Sequence, residues 1–129
     1  MAKVLKAADV MTKDVMTVSP DATVAEAVKL MREKKVSSLV VERRTHDDAW
    51  GIMTRKDVVT KVIGARKDPH EVKVCDIMTS PLIMVSPGLT LDNCAKLMAM
   101  AGVRRCPVFD GKEIVGILSN TDIFNTLEV

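Results

Sequence analysis

Between residues 23 and 36 the apolar positions Val24, Ala27, Val28 and Met31 fall at i, i+3, i+4 and i+7, which is one face of a helix. Thr23 followed by Glu26 reads as a capping box at its start. The period then changes. Val36 to Val41 is a short, β-branched apolar run, and Trp50 to Met53 reads as its partner strand after the polar turn Arg43–Asp48. A second helix is predicted from Thr54 through Val58, Val59, Val62 and Ile63, with Gly64 as its C′ stop. Beyond the hydrophilic bridge Ala65–His70 the pattern returns. It predicts a helix over Leu91–Ala101, a strand over Arg105–Phe109, a tight turn at Asp110-Gly111, a strand over Glu113–Leu118 and a helix over Asn120–Leu127.

The return is a repeat of the sequence itself. Val10-Met11-Thr12 recurs as Ile77-Met78-Thr79 and Val18-Ser19-Pro20 as Val85-Ser86-Pro87, both at a shift of 67. After a turn that differs by two residues the shift becomes 65, and Gly51-Ile52-Met53-Thr54-Arg55-Lys56-Asp57 matches Gly116-Ile117-Leu118-Ser119-Asn120-Thr121-Asp122. The chain therefore divides into repeats 1–66 and 67–129, each read as helix, two strands, helix. A half of ~60 residues with a two- or three-stranded sheet leaves one face open and is marginal alone. The expected architecture is α/β (α+β): two pseudo-two-fold related repeats, each a small sheet with two helices, packed sheet to sheet, with two related clefts where they meet.

Composition narrows the function. Hydrophobic residues are 47% and charged residues 28% of the 129, as in an ordinary globular chain, and the net charge of +2 gives no general attraction to nucleic acid. Only Trp50, Phe109 and Phe124 could stack on bases, so a nucleic-acid partner is not expected. The longest apolar run, Leu97 to Val103, is far short of the ~20 residues that span a bilayer, and Met1-Ala2-Lys3-Val4-Leu5-Lys6 lacks the apolar segment of a secretory signal, so a cytoplasmic protein is expected. Cys75, Cys94 and Cys106 are an odd, scattered set, and with His46 and His70 they form neither a disulfide framework nor a metal-ligand spacing. Nine methionines supply the bulk that aromatics would otherwise provide.

The motif Gly-h-h-Thr/Ser-x-x-Asp, where h is hydrophobic, ends a strand and begins a helix in both halves. Thr54 with Asp57 and Ser119 with Asp122 could be capping boxes and nothing more. The same geometry suits a mononucleotide. Free N–H groups at a helix start attract phosphate, a hydroxyl donates to it, and a carboxylate one turn in accepts from the two vicinal hydroxyls of a ribose. Gly51 and Gly116 would let a backbone approach closely.

In the ordered set of motifs, from Asp9-Val10-Met11-Thr12 and Asp76-Ile77-Met78-Thr79 through Val103-Arg104-Arg105-Cys106-Pro107-Val108 to both Asp-ended motifs, the chain resembles a tandem pair of cystathionine-β-synthase (CBS) domains, a Bateman module. The resemblance implies a non-catalytic regulator that binds an adenosine-containing ligand (AMP, ADP, ATP or S-adenosylmethionine), forms a homodimer and acts on an unidentified partner protein. It implies two shared sites. One joins Ser119 and Asp122 to Thr12, Met16, Val36, Ser37 and Ser38; the other joins Thr54 and Asp57 to Thr79, Ile83, Val103, Arg104 and Arg105. In each, the Asp would hold ribose and the apolar residues would flank adenine. Ser37-Ser38 in place of Arg104-Arg105 makes the sites unequal, and phosphate charge is expected near Arg104, Arg105, Arg55 and Lys56.

Two other classes compete. An enzyme would need an acid–base or nucleophile pair beside a substrate, and no such pair repeats here. A ligand-free dimerisation module would use the exposed methionine and valine surface of the first helix of each repeat.

Overall fold

A computed structural model describes residues 4–129; Met1, Ala2 and Lys3, part of the segment read for a secretory signal, lie outside the described residues. In chain order the elements are α1 (Ala7–Val10), β1 (Thr17–Val18), α2 (Val24–Lys34), β2 (Ser38–Val41), β3 (Gly51–Thr54) and α3 (Arg55–Val58), which runs on as a π-helical segment, Val59–Ile63. Then come α4 (Val74–Ile77), α5 (Leu91–Ala101), β4 (Arg105–Phe109), β5 (Ile114–Ser119) and α6 (Asn120–Phe124). They form two compact units: Met16–Leu82, and the chain through Val15 together with Ile83–Val129. Sequence repeat and compact unit are thus different divisions, because the opening segment of each repeat belongs to the unit built by the other.

In the unit Met16–Leu82 the sheet order is β1-β2-β3. β1 runs parallel to β2 (Val18 opposite Val41) and β2 antiparallel to β3 (Ser38 opposite Thr54). Alternate strand positions Leu39, Val41 and Met53 enter a core with Val24, Ala27 and Met31 of α2, Val62, and Val74 and Ile77 of α4. Thr23 caps α2 by accepting from Glu26 N at 3.1 Å, but the predicted reciprocal bond is absent, so it is a one-way cap and not a capping box. Two further N–H groups at the start of α2 are met by the Ala65–His70 bridge, predicted as a spacer, and by the residues just after it. Val24 N donates to Val72 O at 2.8 Å and Ala25 N to Pro69 O at 2.9 Å.

The stop predicted at Gly64 holds in place but not in conformation: the π-helical segment ends at Ile63 with Gly64 as its C-cap, yet Gly64 is right-handed (φ −62) and its N–H donates to Val59 O. The left-handed residue is Arg66, at φ 55.

In the other unit β4 and β5 pair antiparallel with a bulge at Val108/Phe109, and Val85 bridges Val108 in parallel, the counterpart of Val18 opposite Val41. Leu91, Cys94 and Met98 of α5 pack with Cys106, Val108 and Leu118 and with Ala7 of α1. Leu91 N donates to Leu5 O at 3.0 Å, repeating the bond from Val24 to Val72. The tight turn closes with Gly111 at φ 103, and the Asp110 carboxylate accepts from Lys112 N and Glu113 N, both at 2.8 Å. Those backbone N–H groups hold its carboxyl below the usual carboxylate range.

The thiols of Cys94 and Cys106 are buried and Cys75 is half-buried. Burial pushes Cys106 from 9.0 to about 11, while its Sγ donates to Ile83 O at 3.2 Å. Iodoacetamide at pH 8 is therefore expected to add one adduct to the native chain, at Cys75, and three after denaturation, read by intact mass. Because the folded chain keeps the Cys106 proton after the unfolded chain has lost it, stability should fall as pH rises from about 9 to about 11.

Candidate functional site

Thr54 ends β3 in an extended conformation (φ −115), so the chain turns sharply into α3 and leaves its first N–H groups to be capped. Thr54 Oγ1 accepts from Asp57 N at 3.2 Å, and Asp57 Oδ2 accepts from Thr54 N at 2.9 Å and from the Thr54 hydroxyl at 3.1 Å. The second oxygen, Oδ1, pairs with Lys61 Nζ at 3.2 Å, and the same ammonium donates to Ile77 O at 2.9 Å. Asp57 is 9% exposed, a buried carboxylate with both oxygens engaged.

The second motif has the same backbone and a different electrostatic state. Ser119 Oγ accepts from Asp122 N, and Asp122 Oδ2 accepts from Ser119 N, both at 3.1 Å. At a shift of 65 the counterpart of Lys61 is Thr126, whose hydroxyl donates to Ile123 O at 2.6 Å. Among the described residues no cation takes up the outer oxygen of Asp122, and its side chain is only half-buried. Asp122 is thus the carboxylate with acceptor capacity to spare.

The opening segments flank both motifs. Thr79 bridges Ile52, exchanging bonds of 2.9 and 3.0 Å, and Thr12 bridges Ile117 at the same two distances. In each case the preceding methionine covers the motif glycine. A Cβ on Gly51 would stand 2.7 Å from Met78 Sδ, and one on Gly116 would stand 2.7 Å from Met11 Cγ. The close approach that these glycines permit is made by the protein's own methionines.

The residues at the start of the middle strands lie beside the motif of their own repeat. Ser38 is opposite Thr54, and Ser37 O accepts from Arg55 N at 3.1 Å; Arg105 is opposite Ser119, and Arg104 O accepts from Asn120 N at 3.0 Å. The unit Met16–Leu82 accordingly holds Thr54, Asp57, Thr79, Met16, Val36, Ser37 and Ser38. The other unit holds Ser119, Asp122, Thr12, Ile83, Val103, Arg104 and Arg105. The basic pairs are divided in the same way: Arg55 and Lys56 follow Thr54, and Arg104 and Arg105 adjoin Ser119. Lys61 was not anticipated from the sequence, although its i,i+4 spacing from Asp57 is the signal that finds it.

Among the described residues no group of three His, Cys, Asp or Glu side chains could hold a metal ion, and no helix is long and apolar enough to cross a membrane. The model of the CBS domain matches the chain twice, over residues 7–64 and 74–129. The chain belongs to the CBS-domain family. Its two CBS repeats make it a Bateman module of mixed α/β architecture. It is similar to a hexameric CBS-CP12 protein from bloom-forming cyanobacteria, with TM-score 0.90 and 44% identity over 95% of this chain and 72% of that one. It is 37% identical to an uncharacterized protein of Methanopyrus kandleri over 89% of this chain, and spans 59% of that relative's length. It is also 37% identical to the inosine-5'-monophosphate dehydrogenase of Korarchaeum cryptofilum over 96% of this chain, where it corresponds to 25% of the enzyme. Tandem CBS domains are regulatory modules, both within such larger chains and in small CBS-domain proteins.

Proposed function

We propose that this Bateman module binds an adenosine-containing ligand of the AMP, ADP, ATP or S-adenosylmethionine type in the cytoplasm and modulates a partner protein without catalysis. The observation that carries the reading is Asp122, a carboxylate held rigid by its bond from Ser119 N while its outer oxygen is left to accept from a ribose. Arg104 and Arg105, on the same unit, are the side chains for phosphate, and charge-assisted contacts of that kind are strong. Val103 is the apolar surface for adenine there. Thr54, Asp57 and Thr79, with Met16, Val36, Ser37 and Ser38, form the corresponding set on the other unit, where Arg55 and Lys56 supply the charge; Ile83 is a further apolar contact beside Val103, on the unit that holds Asp122.

The mechanism proposed is population shift. A ligand that binds one conformation of the module better than another changes which conformation the partner meets, by as much as its two affinities differ. The test is thermal unfolding with AMP, ADP, ATP and S-adenosylmethionine. At 100 times its dissociation constant a ligand that binds only the folded chain adds ~2.7 kcal/mol. Four ligands that leave the melting temperature unmoved would sink the reading, and ligand retained through purification, identified by mass spectrometry, would name the effector.

A further inference from the structure

Lys61 lies one turn beyond Asp57, on the π-helical segment, and its ammonium is held from two sides. Nζ stands 3.2 Å from Asp57 Oδ1 and donates to Ile77 O at 2.9 Å. Ile77 ends α4, two residues before Thr79. The lysine therefore bridges two segments of the unit Met16–Leu82 that carry candidate site residues, the start of α3 and the segment that leads to Thr79. Its side chain is 45% exposed, whereas that of Asp57 is 13% exposed.

The second repeat is the control within the same chain. Ser119 and Asp122 build the same reciprocal cap with no cation on the carboxylate, so the cap does not require a lysine. At the position of Lys61 stands Thr126, whose hydroxyl turns back onto Ile123 O. The π-helical turn that carries Lys61 is also confined, among the described residues, to the first repeat, since α6 ends at Phe124. Such turns recur at functional sites.

Acceptor capacity decides what the lysine does to a ligand. Asp57 Oδ2 already accepts from Thr54 N and the Thr54 hydroxyl, and Oδ1 from Lys61. A carboxylate has about four acceptor positions, so one remains where two vicinal hydroxyls need two. A ribose must therefore displace the ammonium. The hydroxyl brings a hydrogen bond alone; the ammonium brings a hydrogen bond and a full opposite charge. The lysine is also tethered beside the carboxylate, whereas the ligand gives up its free motion on binding. Resting on the adenosine-ligand reading above, we infer that Lys61 is a specificity-determining residue, an internal counter-ion that keeps the Asp57 motif closed to ribose, so that the module takes up one ligand per chain, at Asp122.

The test is equilibrium dialysis of the full chain against AMP, ADP, ATP and S-adenosylmethionine, counting ligand bound per chain at saturation. The unmodified chain should bind one and Lys61→Thr two. Lys61→Met, which keeps most of the aliphatic stem without the charge, should also bind two, and Lys61→Arg, which keeps a cation, should bind one. Adding Asp57→Asn to Lys61→Thr should return the count to one, placing the gained site at Asp57. A lysine with a merely structural role would lower the melting temperature in these variants and leave the count unchanged. Two ligands on the unmodified chain, or one that neither Lys61→Thr nor Lys61→Met raises, would overturn the role of Lys61 and leave the proposed function standing. If none of the four compounds binds the unmodified chain or either uncharged variant, the proposed function falls and the role of Lys61 falls with it.

Discussion

Asp122→Ala should weaken binding of the adenosine ligand at least tenfold while lowering the melting temperature by only a few degrees, whereas Asp57→Ala should do the reverse. The two residues share a motif but not a load. Asp57 is buried, accepts from Thr54 N and from the Thr54 hydroxyl, and pairs with Lys61, so its removal leaves Thr54 N and the Thr54 hydroxyl without their acceptor and the exposed Lys61 ammonium without its anion. A stability cost of about 1–2 kcal/mol is expected. Asp122 accepts one bond, from Ser119 N, and alanine there costs about 0.5–1 kcal/mol. Its outer oxygen is what a ribose would use, so the affinity loss falls on this residue. Isothermal titration beside urea unfolding separates the two quantities. Equal losses of affinity with no difference in stability would show that the Lys61 pair does not distinguish the motifs.

The second large effect is on the fold. Gly116→Ala should destabilise the chain by about 2 kcal/mol, because the new methyl group would stand 3.0 Å from Met11 Cβ, a carbon fixed to α1 and unable to swing away. At Gly51 the nearest obstacle is Met78 Sδ, near the end of a flexible side chain, and about 1 kcal/mol is expected. Pairing Gly116→Ala with Met11→Ala, which removes the crowding Cγ at 2.7 Å but keeps the Cβ, should recover part of the loss; urea denaturation of the two single variants and the double variant measures that coupling. Strict additivity would show that the methionine is not what the glycine accommodates.

Much of the fold was legible because period and punctuation agree. Helix α5 and strand β4 begin and end where the apolar spacing placed them, and Gly102 at φ 68 stops α5. β3 and β5 each run one residue past their predicted ends because Thr54 and Ser119 pair in the ladder and cap the next helix at once. The four-residue helices α1 and α4 and the two-residue β1 were not legible, since none is long enough to show a period. Gly64 marked the end of the helix correctly but not its geometry, since the π-helical segment closes on a right-handed glycine.

Within the candidate site the Thr/Ser-x-x-Asp pairs could be read directly, since a cap is a local contact. The glycine–methionine packing could not. Gly51 and Met78, and Gly116 and Met11, come from different repeats, and a contact across that separation leaves no mark in the spacing of either. The unequal state of the two carboxylates hung on a single substitution, lysine at 61 against threonine at 126.

The exchange of opening segments bears on how such a chain came to be. Leu5 O receives the first N–H of α5, and Val72 O receives the first N–H of α2, so neither repeat completes its own principal helix. A primitive polypeptide holding one repeat would have needed a twin, each lending the other its leading arm. Joining the twins end to end kept the loan within one molecule. Severed at 66/67, the halves should return to that older condition: poorly ordered apart, and reconstituted when mixed.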